Sequence, residues 1–167
     1  ARPASGKSSP ADKILSVDGF DERAWDLLPS AGAGIAPEAI ELNMSCPNVG
    51  HVNWPGWLFA RALETRLRVI VKLPPINFEE MARQALAAGV RAFHCCNTLP
   101  VPGGGMSGKP LKPLSLQCIA RLRRIAEDQG AAGGLMIIGG GGITPPADID
   151  DYARAGAAHA AIGTKAM

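Results

Sequence analysis

Six short apolar runs, at residues 14–17, 39–44, 68–73, 92–96, 135–139 and 160–164, recur along the chain, and what lies between them decides the fold. Several are continuous rather than alternating, the pattern of parallel strands buried on both faces. The segments between them carry helical periodicity. Phe78, Met81, Ala82, Ala85 and Leu86 form one stripe, with Gly89 placed as a C-cap. Ile119, Leu122 and Ile125 form a second, with Arg121, Arg123 and Arg124 turned away, and Ile149, Tyr152 and Ala153 a third, closed by Gly156. Phe20, Ala24, Leu27 and Leu28 predict a helix ended by Pro29. Strand–helix alternation of this kind is an α/β fold with a parallel sheet.

The runs start at 14, 39, 68, 92, 135 and 160, so most units are 24 to 29 residues long. An eightfold barrel takes roughly 250 residues, or about 31 per unit. In 167 residues six strands fit and eight do not. The fold is therefore either a smaller sheet or part of a barrel. Polar and glycine-rich positions choose between them, because they follow five different runs. Asn43 and Ser45-Cys46-Pro47-Asn48 follow the second, Lys72 ends the third, Asn97-Thr98 follows the fourth, Gly139 to Gly142 the fifth, and Gly163-Thr164 closes the sixth. A doubly wound sheet gathers its site at one switch point, whereas a barrel builds it from the carboxyl ends of many strands.

Composition narrows the function. A net charge of +2 with dispersed Lys and Arg gives no footprint for nucleic acid or a membrane surface. No apolar run approaches the ~18 residues of a transmembrane helix. Cys46, Cys95, Cys96 and Cys118 fit neither a zinc site nor a disulfide framework, and a reducing cytoplasm is the default reading. His51, His94 and His159 lack metal-ligand spacing, so no metal is expected. Residues 1–13 read as a flexible tail or a cut edge, and residues 1–167 as a single partial barrel domain.

Individual residues carry chemistry. Four successive glycines, 139–142, let a backbone approach a ligand closely and offer amides to an anion, and Gly163-Thr164 adds an amide and a hydroxyl. A phosphate site after strands seven and eight is a frequent feature of these barrels, which would make residues 14–17 strand three. The bland alternative is a tight turn. Lys72 ends an apolar strand and must find a partner, either a carboxylate such as Glu41 or an anionic cofactor. Cys46 lies in a polar loop, where a thiol serves as a proton acceptor if its surroundings favour thiolate. Cys95, Cys96 and Cys118 read as core, and Trp54 and Trp57 as cover for the site loop or a partner surface.

Five segments together resemble one family. Glu41-Leu42-Asn43-Met44-Ser45-Cys46-Pro47-Asn48-Val49 is similar to the active-site loop of class 1 dihydroorotate dehydrogenases, and Val71-Lys72-Leu73-Pro74-Pro75 to their lysine strand. Asn97-Thr98 resembles their substrate-binding strand end, and Gly104-Gly105-Met106-Ser107-Gly108 their Gly-Gly-x-Ser-Gly segment. Residues 138–143 and 155–164 resemble the flavin-phosphate turns. The resemblance implies an FMN-linked (β/α)8 TIM barrel with about strands 3 to 8 present, oxidising dihydroorotate to orotate in pyrimidine biosynthesis. It makes Cys46 the base at C5 while the C6 hydride passes to the flavin. Asn43, Asn48, Asn97 and Thr98 would hold the substrate. Asn43, Lys72, Ser107, Gly108, Gly141, Gly142, Gly163 and Thr164 would hold FMN. A cysteine base implies the soluble class.

The family's first strands have no counterpart in this sequence, and residues 97–104 are shorter than the class 1 form. The electron acceptor therefore stays open between fumarate, NAD and quinone. Six strands leave two unpaired edges, which implies a homo-oligomer or further barrel strands. Two other readings are a related flavin barrel acting on another dihydropyrimidine and a non-catalytic fragment or assembly partner.

Overall fold

The computed structural model describes residues 13–19, 21–44 and 54–163. The expectations placed on residues 1–12, Phe20, the loop carrying Ser45, Cys46, Asn48 and His51, and Thr164 lie outside them. Strands β1 (Ile14–Val17), β2 (Ala39–Asn43), β3 (Arg68–Leu73) and β4 (Ala92–Cys95) are followed by a hairpin of β5 (Leu99–Val101) and β6 (Gly104–Met106). The chain continues with β7 (Met136–Gly140) and β8 (His159–Ala161). Helices α1 (Glu22–Ala33), α2 (Leu58–Leu63), α3 (Glu79–Ala88), α4 (Lys112–Asp128) and α5 (Ala147–Ala155) fill the connections.

Six strands pair in the order β1-β2-β3-β4-β7-β8, every neighbouring pair parallel, and curve into half of a (β/α) barrel. The register sorts residues by face. Leu42, Val71, Phe93 and Ile137 stand side by side and join the main core under the helices. On the other face Ala39, Ile70 and Ala92 form a small inner core with Met136 and Ile138. Above it on this inner face lies a row through Asn43, Lys72, His94, Ile138 and His159. The continuous apolar runs of the sequence are this two-sided burial.

The helices follow their periodicity, with two exceptions. Phe78, Met81, Ala82, Ala85 and Leu86 are all buried, and Gly89 and Gly156 cap α3 and α5 in the left-handed conformation at φ +107° and +104°. Ile119, Leu122 and Ile125 are buried on α4 beside Cys118. In α1, however, Trp25, Pro29 and Gly32 are buried while Leu27 is exposed, so neither the expected stripe nor the expected end at Pro29 holds, and the helix runs on to Ala33. Its last turn is held by packing: a Cβ on Gly32 would stand 2.9 Å from Leu15 Cδ2 and 3.4 Å from Ile40 Cδ1. Burial against the sheet outweighs the local cost of proline. The stripe assigned to α5 is also wrong, since Ile149 and Ala153 are exposed and the helix docks through Tyr152 and Asp148. Asp148 tolerates this because Lys112 on α4 pairs with it.

The strands at 14–17 and 68–73 have the expected bounds, the ends of the other four differ by one to three residues, and the sixth strand comprises 159–161 rather than 160–164. Cys95 closes β4, leaving Cys96 just beyond it. Trp54 lies partly buried with its Nε1 donating to Gln84 Oε1 on α3 at 2.8 Å, while Trp57 is exposed at the start of α2.

Tyr152 fixes the distance between α5 and β7. Its ring is fully buried, and a Cβ on Gly139 would lie 2.3 Å from its Cδ1. We predict that Gly139→Ala destabilises the protein by about 1–3 kcal/mol through overpacking. Gly133→Ala, at an open position, should change stability by less than about 0.5 kcal/mol. Urea unfolding of the two variants checks the contrast.

Candidate functional site

The carboxyl ends of the strands enclose a cleft of about 440 Å³. Lys72 and His94 form its floor, Cys96, Asn97 and Thr98 one wall, and Gly140, Gly141 and Gly142 with Gly163 the other. Ser107 and Gly108 roof it, carried there by the β5–β6 hairpin. Eight of the residues singled out in the sequence therefore line a single cavity: Lys72, Asn97, Thr98, Ser107, Gly108, Gly141, Gly142 and Gly163. Asn43 stands beside it, joined to Asn97. Cys46, Asn48 and Thr164 fall outside the described residues.

The floor is electrostatic. Glu41 is buried on β2, and its Oε2 lies 2.7 Å from His94 Nδ1 while its Oε1 accepts from Ser16 Oγ at 2.9 Å. Lys72 Nζ is 3.6 Å from Glu41 Oε1, so the carboxylate partner anticipated for this lysine is present, and the lysine also faces the cleft. Burial alone would raise the Glu41 pKa. The hydrogen bond and charge of His94, the charge of Lys72 and the Ser16 hydroxyl together outweigh it and hold the carboxyl below its ordinary value.

The amide wall is fixed in orientation. Asn97 Nδ2 donates to Asn43 Oδ1 at 3.0 Å, and Thr98 N donates to Asn97 Oδ1 at 2.9 Å. One backbone N–H thus decides which end of the Asn97 amide is oxygen, and the second bond ties β4 to β2 across the top of β3. Behind this wall Cys96 Sγ donates to the buried Ser115 hydroxyl at 3.4 Å. Burial, only partly offset by that bond, pushes the Cys96 thiol up to about 12. Cys96 stays protonated near neutrality.

The glycine wall is a strained turn that glycine alone relieves. Gly141 and Gly142 have φ of +104° and +74°. A Cβ on Gly142 would stand 2.7 Å from Gly108 O, and one on Gly141 2.8 Å from Leu111 Cδ2. Gly108 and Gly163 instead have nothing within 4 Å of where a Cβ would be. The turn is held from behind. Tyr152 Oη donates to Gly141 O, the Ser115 hydroxyl bonds Gly140 O, and Thr144 N donates to Asp148 Oδ2 at 2.7 Å. Hydrogen bonding from Lys112 holds the Asp148 carboxyl below its ordinary range.

Three features of the site were not read from the sequence. His94 was weighed only as a metal ligand, although a polar residue inside an apolar strand carries the same signal as Lys72. Cys96 was assigned to the core but also lines the cleft. The hairpin was missed, although Val101-Pro102-Gly103-Gly104 is a turn sequence between its two strands. Among the described residues no cluster of three or more His, Cys, Asp or Glu side chains is arranged to hold a metal. None of their helices is long and apolar enough to cross a membrane.

The dihydroorotate dehydrogenase family model matches residues 33–167. The chain is 30% identical to dihydroorotate dehydrogenase A (fumarate) of Lactobacillus helveticus, over 90% of this chain and 55% of that protein. It is 33% identical to the catalytic subunit of dihydroorotate dehydrogenase B (NAD(+)) of Oceanobacillus iheyensis, over 76% of this chain and 48% of that protein. The DHODH of Eimeria tenella crystallised with ferulenol superposes with a TM-score of 0.68 at 20% identity, over 84% of this chain and 48% of that one. The chain thus spans about half the length of the curated relatives it matches. The matched region contains every residue that lines the cleft, and on that basis the chain belongs to the dihydroorotate dehydrogenase family.

Proposed function

We propose that this chain carries the FMN and substrate site of an enzyme that oxidises dihydroorotate to orotate in pyrimidine synthesis. The observation that carries the reading is the convergence of a lysine, an asparagine held by a second asparagine and a positive-φ glycine turn on one cleft. That donor set suits a group with an anionic tail and a planar, charge-accepting ring. The Gly141–Gly142 turn and Gly163, with Thr164, supply backbone amides and a hydroxyl for a phosphate. Lys72 supplies a fixed cation beside the ring, and Ser107, Gly108 and Asn43 complete its contacts. FMN, when bound there, supplies the two-electron acceptor for the substrate hydride.

The chain's own residues do the rest. Asn43, Asn48, Asn97 and Thr98 hold the polar edges of the substrate ring, and the Asn97–Asn43 bond keeps two of those amides from rotating. Cys46 removes the C5 proton as general base. Cys96 is unsuited to that task because its thiol is buried and hydrogen-bonded to Ser115. The electron acceptor beyond the flavin is not selected by any residue of the cleft.

Cys46→Ala should leave FMN bound and slow its reduction by dihydroorotate roughly 10²- to 10⁴-fold, the scale of a lost general base. Cys46→Ser should retain part of the rate. Anaerobic stopped-flow bleaching of the flavin measures both, and wild-type bleaching in the alanine variant would return Cys46 to a packing role. Dihydrouracil run beside dihydroorotate tests the substrate: faster turnover of dihydrouracil would make this a barrel for another dihydropyrimidine.

Lys72→Ala removes the cation and should weaken FMN retention or slow flavin reduction by roughly tenfold or more, since charge-assisted hydrogen bonds contribute about 1.5–3 kcal/mol. Flavin fluorescence titration and the same bleaching experiment read the two effects. Unchanged values in both would remove Lys72 from the site.

A further inference from the structure

We propose that His94 is a positioning residue for Lys72, acting through Glu41: it holds the carboxylate away from a close ion pair and so keeps the ammonium available to the cleft. The inference rests on the flavin reading above and deepens it.

Glu41 has three neighbours that compete for it. Its two short contacts are to His94 Nδ1 at 2.7 Å and Ser16 Oγ at 2.9 Å. Lys72 is left at 3.6 Å, beyond hydrogen-bond length. The lysine therefore keeps a counter-charge near enough to make its position on the inner face tolerable, without committing its N–H donors to it. Those donors belong to a side chain that lines the cleft.

The fold makes room for this histidine. His94 sits between Lys72 and Ile138 in the inner row of the sheet, where an apolar residue would continue the strand. A Cβ on Gly140 would stand 2.9 Å from His94 Nε2 and 3.3 Å from the Ala161 Cβ, so β7 has a glycine where the ring ends. With Nε2 seated against β7, Nδ1 is aimed at β2. Without the ring, Glu41 Oε2 would lose its shortest contact deep inside the sheet. The nearest cation is Lys72, and the carboxylate would turn onto it. Lys72 would then be neutralised in a close pair and drawn from the ligand.

The consequence falls on the charge gained when bound FMN is reduced, and not on binding in general. In the FMN-loaded holoenzyme His94→Ala should lower the midpoint potential by about 30 mV, a tenfold weaker preference for the reduced anion. The affinity for oxidised FMN should stay within about twofold of wild type, since the phosphate turn is untouched. His94→Asn, whose amide still donates to Glu41, should restore the potential. In a Glu41→Gln background His94→Ala should cause no further drop. A merely structural role predicts the reverse: both redox forms weaken together, asparagine fails to rescue, and the loss persists without the carboxylate. A His94→Ala protein at the wild-type potential likewise overturns the proposal. If His94→Ala does not fold, His94→Asn and the Glu41→Gln/His94→Ala double variant carry the test. Both are expected at or above the wild-type potential, and a drop of about 30 mV in both overturns it. Failure of the wild-type holoenzyme to form at all would remove the flavin reading itself, whereas wild-type potentials in flavin-loaded variants would remove only the role of His94.

Discussion

A carboxylate on the inner face of a parallel sheet has no water to turn to, and the arrangement around Glu41 follows from that. An unpaired charge there would be strongly destabilising. The parallel register answers it with one residue from each of three neighbouring strands: Ser16 on β1, Lys72 on β3 and His94 on β4. Lys72 and His94 are themselves register partners, so one layer of the barrel interior carries both of Glu41's basic neighbours. Apolar residues fill the inner face below, where Ala39 and Ala92 pack with Ile70 and Met136. The polar layer is therefore confined to the carboxyl ends of the strands, where the cleft opens.

The opposite wall is built from the absence of side chains. Gly139 admits the Tyr152 ring, Gly140 admits His94, Gly141 admits Leu111, and Gly142 lies against the carbonyl of Gly108. Four glycines in succession thus serve four different neighbours, on α5, β4 and the segment after the hairpin. The turn would be mobile if nothing else held it, because glycine restricts the backbone least. Tyr152, Ser115 and the Asp148–Lys112 pair supply that restraint from behind, leaving the front free.

This division explains what could be read from the sequence. Continuous apolar runs mark two-sided strands directly, and glycine caps mark the ends of α3 and α5, because both are set by local chemistry. Lys72, Asn97, Thr98, Gly141, Gly142 and Gly163 were legible because they end or follow an apolar run, whereas Ser107 and Gly108 rested on the family resemblance alone. Apart from the hairpin and the strand ends, the errors arise where a distant partner decides the outcome. Pro29 stays within a helix because Gly32 lets the last turn lie on Leu15. Asp148 replaces an apolar residue on the buried side of α5 because Lys112, 36 residues away, meets it. His94 is in the same class: its neighbour in space is Glu41, 53 residues earlier, and only the register brings them together.

The surroundings of Cys96 show how this fold keeps a thiol at the cleft inert. Cys96 reaches the cleft wall, yet its sulfur is committed to Ser115, a hydroxyl that is itself bonded to the β7 carbonyl at Gly140. Charging that thiol would place an anion among Cys118, Ser115 and the sheet, which burial opposes. A proton acceptor working near neutrality must instead lie where its charged form is solvated or paired. The same logic places the fixed charges on β2 to β4 and the bare amides on β7 and β8. The cleft between these walls has a lysine in its lining and, among the described residues, no carboxylate, so its charge favours an anion.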